Sequence, residues 1–224
     1  MELCLRATTE SGLTDGELTA AAERLCAAHP AKKVLLLPPD FTRYHSKAGF
    51  LANACYHYYA ARGASVDVLP TLGTHRAMTE TEAREMFGDV PFERFIVHNW
   101  RTDVVKIGEV PGEFLSEITE GLWSAPMDVE VNRRIMDPSY DLILSIGQVV
   151  PHEVIGMANH SKNVFVGAGG AEMINKSHMV GAVYGMERMM GRDFTPVREI
   201  FDYALKHYLS KRPIEFILTV TTAP

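Results

Sequence analysis

The chain has 224 residues, 46% of them hydrophobic and 22% charged, a composition that excludes collagen-like, coiled-coil and disordered chains. Twenty-eight acidic residues against 22 basic ones give a formal charge of -6, which argues against a nucleic-acid binder built on a dense basic face. No apolar run reaches the ~20 residues that span a bilayer, and the first residues show no signal-peptide pattern, so a cytoplasmic domain without membrane partners is expected.

The elements alternate in chain order. Lys33–Leu37 is a short apolar strand closed by Pro38-Pro39, and 46–62 reads as a helix stopped by Gly63. A strand at 66–69 leads into the polar loop Gly73-Thr74-His75-Arg76. Thr79 and Glu82 have capping-box spacing, predicting a helix to Phe87 with Gly88 as its stop. Shorter strands are expected at 95–97 and 104–107, a buried one at 141–147, and another at 163–166 before the turn Gly167-Ala168-Gly169-Gly170. Thr195-Pro196 opens a helix through Leu209 with Val197, Ile200, Phe201, Ala204, Leu205 and Tyr208 on one face. A strand at 214–221 closes the chain. Continuous apolar strands separated by helices imply an α/β, Rossmann-like, three-layer domain: a mostly parallel sheet with helices on both faces. Ligands of such sheets bind at the carboxyl ends of the strands.

Four polar clusters fall there. Asp40-Phe41-Thr42-Arg43 is either a local ion pair or cap, or a carboxylate-binding arginine oriented by the aspartate. His75 is a solvated loop histidine or a general base. Pro151-His152-Glu153 forms the third cluster, and the fourth runs from His160 and Lys162 through the glycine turn to His178. That turn lacks the dinucleotide fingerprint because Glu172 stands where a glycine is needed; a phosphate nest and a plain turn both remain open. His29, His57, His98 and His207 read as surface or satisfied core residues. Cys4, Cys26 and Cys55 are too few and too widely spaced for a disulfide framework or metal site, and read as buried or semi-buried thiols.

Taken together, Asp40-x-x-Arg43, Gly73-Thr74-His75-Arg76, Pro151-His152, Lys162 and His178 resemble the amino-terminal domain of the lactate racemase family, the nickel-pincer-nucleotide enzymes. Met78-Thr79, Val131-Asn132, the pattern Gly147-x-Val149-x-Pro151-His152, and intervals of ten from His152 to Lys162 and sixteen from Lys162 to His178 agree with it. The resemblance runs from about residue 35 to 219.

It implies a nickel-pincer nucleotide joined covalently through a thioamide to Lys162, with His178 as the protein's nickel ligand; imidazole suits that metal. His75 and His152 match the two catalytic bases, Arg43 the substrate-binding arginine and Asp40 its supporting partner. The implied reaction is racemisation or epimerisation of a 2-hydroxy acid by reversible proton and hydride transfer through a keto acid. Its implied partners are the substrate, the cofactor-synthesis enzymes and a carboxy-terminal domain of the same enzyme. Family members run to roughly twice this length, so 1–224 reads as the catalytic and cofactor domain alone. Two departures flank the expected site. Asn159-His160-Ser161 stands where lactate-acting members carry Gly-Gly-Arg, making His160 a further candidate contact, and Glu153-Val154-Ile155 replaces a Phe-rich stretch. The alternative readings are a His-based zinc metallohydrolase and a non-catalytic domain that binds a nucleotide or partner.

Overall fold

The computed structural model describes residues 3–8 and 10–221. In chain order its elements are α1 (Asp15–Ala28), β1 (Lys33–Leu37), α2 (Ala48–Ala60), β2 (Ser65–Val68), α3 (Glu80–Phe87), β3 (Val104–Val110), α4 (Gly112–Ile118) and β4 (Met127–Asn132). There follow α5 (Arg133–Met136), β5 (Leu142–Gln148), β6 (Pro151–His152), β7 (Gly156–Met157), α6 (Ala171–Tyr184), α7 (Met186–Met189), α8 (Pro196–Ala204) and β8 (Ile214–Thr219).

The main sheet has four parallel strands in the order β2-β1-β5-β8. Parallel strands bury both faces, and their period of two divides the side chains between two cores. Val34, Leu36, Leu142, Leu144 and Ile146 join α1, α2 and α3 on one side. Leu35, Leu37 and Ile143 join the other core, with β4, α6 and α8. The expected three layers are present, although β3 and β4 form a separate two-stranded antiparallel sheet rather than part of the parallel sheet. The chain leaves β1 for β2 on one side and reaches β5 on the other, so the crevice between β1 and β5 is the topological switch point.

Local chemistry sets several boundaries. Thr79 and Glu82 form the expected capping box on α3, and Gly88 ends it at φ 65. The same Thr-x-x-Glu signature at Thr14 and Glu17 caps α1, an element that the apolar pattern alone misses. The helix expected over 46–62 begins later, because Lys47 at φ 62 separates α2 from a 3₁₀ turn over Phe41–Ser46. The strand expected at 163–166 is instead a π-helical turn, Asn163–Gly167. All its side chains are buried, and a short apolar run fits helix or strand equally. Residue Phe95 makes only an isolated bridge to Val68. The helix from Pro196 does reach Leu209, its last turn π-helical, while β8 stops at Thr219. Cys26 and Cys55 are buried as expected, but Cys4 is exposed. Among the described residues no helix is long and apolar enough to cross a membrane.

Gly49 lets α2 lie against α3: a Cβ there would stand 2.2 Å from the Met86 carbonyl oxygen. In an exposed helix Gly→Ala gains about 1 kcal/mol; here Gly49→Ala is expected to cost about 1–3 kcal/mol through overpacking. A denaturant midpoint that rises in this variant would refute the close approach.

Candidate functional site

The segments that follow the main-sheet strands bring the sequence-predicted residues towards the switch point. After β1, Pro38-Pro39 leads into Asp40, which is buried and caps the 3₁₀ turn. Its Oδ1 accepts from the Thr42 backbone N–H at 3.1 Å and from the Thr42 hydroxyl at 2.5 Å. The other oxygen, Oδ2, lies 2.6 Å from Nδ1 of His75. Of the local roles the sequence offered, Asp40 takes the cap and not the ion pair with Arg43, and its second oxygen orients His75. The Arg43 side chain makes no hydrogen bond or ion pair among the described residues, which leaves its planar fork available.

His75 stands in the loop after β2. Gly73 (φ 55) turns the chain there, and its N–H bonds the Gly167 carbonyl at 2.8 Å. With Nδ1–H given to Asp40, the lone pair on Nε2 is free, and the ring is more than half exposed. This is the geometry of a histidine base supported by a carboxylate.

His152 lies after β5 and is mostly buried. The Val154 backbone N–H donates to its Nδ1 at 3.2 Å, so the neutral ring carries its proton on Nε2. Burial, with the positive charges of Lys162 and Arg43 and the neighbouring His178, lowers its pKa to about 4, while Glu153 acts in the opposite direction. Its ring centroid lies 6.3 Å from that of His178, edge to face.

Lys162 closes the segment that follows β7 and enters the π-helical turn. Its ammonium makes no hydrogen bond or ion pair among the described residues. Burial first, then the cations Arg43 and Arg198, lower its pKa to about 8, against Glu153 and Asp40. An amine with that pKa is partly unprotonated near neutrality and is a competent nucleophile.

Asn163, next in the chain, anchors this turn. Its Nδ2 donates to the Leu37 carbonyl and to Ser145 Oγ, both at 3.0 Å, and its Oδ1 accepts from Thr71 Oγ1 at 2.7 Å. One buried amide thus ties the lysine turn to the end of β1, to the middle of β5 and to the loop after β2. Sequence reasoning missed Asn163, Thr71 and Ser145; the polar Ser145 within an apolar strand was the available signal.

His178 lies on α6, a helix the sequence pattern did not reveal. Its Nδ1–H donates to the Ile174 carbonyl at 2.6 Å, one helical turn back, leaving Nε2 free. A ring nitrogen fixed on a carbonyl is the usual support for a metal-binding imidazole. Burial lowers its pKa, which keeps the ring neutral and able to coordinate.

The glycine turn is not an open phosphate nest. Glu130 Oε2 accepts from the Glu172 N–H at 3.0 Å, so a carboxylate already caps α6. His160 packs against Phe216, the rings tilted by 36° with centroids 4.2 Å apart. Asn159 and His160 have φ of 68 and 56, the left-handed conformation that favours glycine. His29, His57 and His207 sit against Glu215, Asp89 and Tyr203.

His98 is a satisfied core residue: Nε2–H donates to the Gly169 carbonyl at 3.0 Å, and Nδ1 accepts from Asn132 at 2.9 Å. Burial holds its pKa below the usual value. On acidification the unfolded chain takes up this proton first, so stability falls as pH drops below about 6.5. Thermal melts are expected to show a lower Tm at about pH 5 than at about pH 7, with a shallower dependence in His98→Gln. An equal slope in both proteins would show that His98 does not contribute to it.

Among the described residues no three His, Cys, Asp or Glu side chains converge as a metal-binding group. A zinc hydrolase needs three such protein ligands, so the donor set disfavours that reading. What the cluster does offer is one imidazole with a free Nε2, His178, and one amine unpaired among the described residues, Lys162.

The fold is thus a parallel α/β sheet that groups histidines, an arginine and a lysine unpaired among the described residues at its switch point. Residues 18–190 match the lactate racemase N-terminal domain family, and the chain belongs to that family. Among solved structures, a Thermotoga maritima protein is similar at a TM-score of 0.88 and 26% identity, over 99% of this chain and 54% of that one. The lactate racemase apoprotein of Thermoanaerobacterium thermosaccharolyticum shares the fold at a TM-score of 0.70 and 20% identity, over 93% of this chain and 49% of that one. The chain therefore spans about half the length of each. No curated protein matches it.

Proposed function

We propose that this chain is the cofactor-carrying domain of a 2-hydroxyacid racemase or epimerase, with a nickel-pincer nucleotide anchored on Lys162 and ligated by His178. The observation that carries the reading is the pair of prepared groups. Lys162 has an unpaired amine of lowered pKa, and His178 has Nδ1 fixed on Ile174 and Nε2 free. When bound, the nucleotide supplies the hydride acceptor, the part of the chemistry for which the protein has no group of its own.

The chain's residues perform the rest. Arg43 holds the substrate carboxylate in its unpaired fork. His75 takes the hydroxyl proton on Nε2, and Asp40 stabilises the imidazolium that results. His152, buried and neutral, presents Nε2–H from the other cluster and serves the opposite enantiomer. The two rings start in different tautomers, so His152 must release the Val154 N–H and transfer its own proton from Nε2 to Nδ1 before Nε2 can accept one. The completed pocket and the carboxy-terminal domain that closes it belong to this proposal, as does a cytoplasmic setting with the cofactor-synthesis enzymes.

The test is anaerobic co-production with cofactor-synthesis enzymes, followed by intact mass, nickel content and a screen of 2-hydroxy acids for loss of optical activity. One nickel and one adduct per chain, mapped to Lys162, are expected. An unmodified Lys162 under conditions that load a lactate racemase overturns the reading.

A further inference from the structure

The segment leading to Lys162 is fastened from one direction. Along it, four residues at alternate positions are bonded to the start of α8. The Ile155 carbonyl accepts from Thr195 Oγ1 at 2.6 Å. The Met157 carbonyl accepts from Arg198 Nη2. The Asn159 carbonyl and Ser161 Oγ accept from Arg198 Nη1 at 3.1 and 3.0 Å. Three of these bonds end on a single guanidinium, which is buried and has no ion pair among the described residues. The nearest carboxylate, Asp202 one turn along α8, accepts from the Ser161 hydroxyl at 2.6 Å instead. A buried cation held by carbonyls and a hydroxyl keeps most of its charge unneutralised, and it must be matched by the geometry that holds it.

We propose that Arg198 is the positioning residue of the lysine site: its guanidinium ties down the residues before Lys162 and brings a buried positive charge to bear on the amine. Arg198 lies outside residues 18–190, the part matched by the family. Its effect on Lys162 is felt together with Arg43 from the 3₁₀ turn, Asp40 at the end of β1, and His152 and Glu153 after β5, with His178 facing from α6. Of the two cations that disfavour a charged lysine, Arg43 is free to be neutralised by a bound carboxylate, whereas Arg198 is committed to the loop. Arg198 thus keeps the amine reactive whether or not substrate is present. The proposal rests on Lys162 being the anchor.

Competitive acetylation of the cofactor-free chain with trace acetic anhydride, read peptide by peptide across pH, tests it without the cofactor. The amine attacks one acetyl carbonyl, an amide forms, acetate leaves, and the rate follows the unprotonated fraction. In the unaltered chain the Lys162 midpoint is expected near pH 8. In Arg198→Met it should rise by about one pH unit. Arg198→Lys keeps the charge but lacks the planar fork, so the midpoint should stay low while amide exchange over residues 157–161 increases. Should the Met variant fail to fold, surface Asp202→Asn replaces it. Removing the carboxylate that partly offsets Arg198 should lower the midpoint. A Met variant with the unaltered midpoint, a Lys variant with the Met variant's midpoint, or an Asn variant with an unchanged or higher one overturns the proposal. Because labelling reads the amine itself, these failures are distinct from failure to acquire the nickel adduct.

Discussion

Lys162→Ala, co-produced with the cofactor-synthesis enzymes, is expected to show the mass of the bare polypeptide where the unaltered chain carries the adduct. The physical ground is that the partly buried amine is the only group in the cluster suited to a covalent bond of this kind: Arg43 is always charged, and the histidines are turned to other work. Loss of the methylene stem opens only a small space beside polar neighbours, so the melting temperature should change little. The His178→Ala variant separates anchoring from ligation. It should retain the lysine adduct while nickel is lost on desalting, since in the proposed arrangement His178 is the protein's ligand to the metal. A Lys162→Ala chain carrying an adduct of the same mass would move the anchor elsewhere.

The second large effect concerns His75 and Asp40. Once turnover of a 2-hydroxy acid is measured for a loaded preparation, His75→Ala should lower kcat/KM by about 10²–10⁴-fold, the usual contribution of a positioned base. Asp40→Asn should produce a loss within that range while leaving the lysine adduct in place. Asparagine can still accept the Nδ1–H bond at 2.6 Å, but it cannot stabilise the imidazolium by charge. Both variants must slow the two directions of the reaction by the same factor, because the equilibrium between isomers is unchanged. An Asp40→Asn enzyme with full activity would return Asp40 to the simpler role of capping the 3₁₀ turn. Arg43 makes a contrasting case. Its unpaired fork predicts that Arg43→Met raises KM for the carboxylate substrate more than it changes the yield of adduct.

The pairing of Asp40 shows how far a local pattern can be read. Asp-x-x-Arg offers a ready local partner, and in sequence the pair looks self-contained. In space the Asp40 carboxylate has a loop from the next strand beside it, and it meets His75, 35 residues away. The π-helical turn at Asn163–Gly167 illustrates the same limit. Its apolar composition fits a strand, yet the amide of Asn163 needs partners on three other segments, and only a tight turn brings it to all of them. Arg198 was invisible for a related reason: it sits in the first turn of an amphipathic helix, where a basic residue ordinarily faces water.

The sequence by itself determined the layered α/β architecture, because strand and helix periods and capping signals are local properties of neighbouring residues. It also determined the family, through five short motifs whose order and spacing survive in one dimension. Charge and composition argued against the nucleic-acid and membrane readings. Tertiary structure alone decided which partner each polar group has: Asp40 with His75, His178 with Ile174, Arg198 with the segment before Lys162, and Lys162 with none among the described residues. Those choices turn on burial and on distances across the sheet's switch point, where groups far apart in sequence share one crevice. The protonation state of each follows from that crevice and not from its neighbours along the chain.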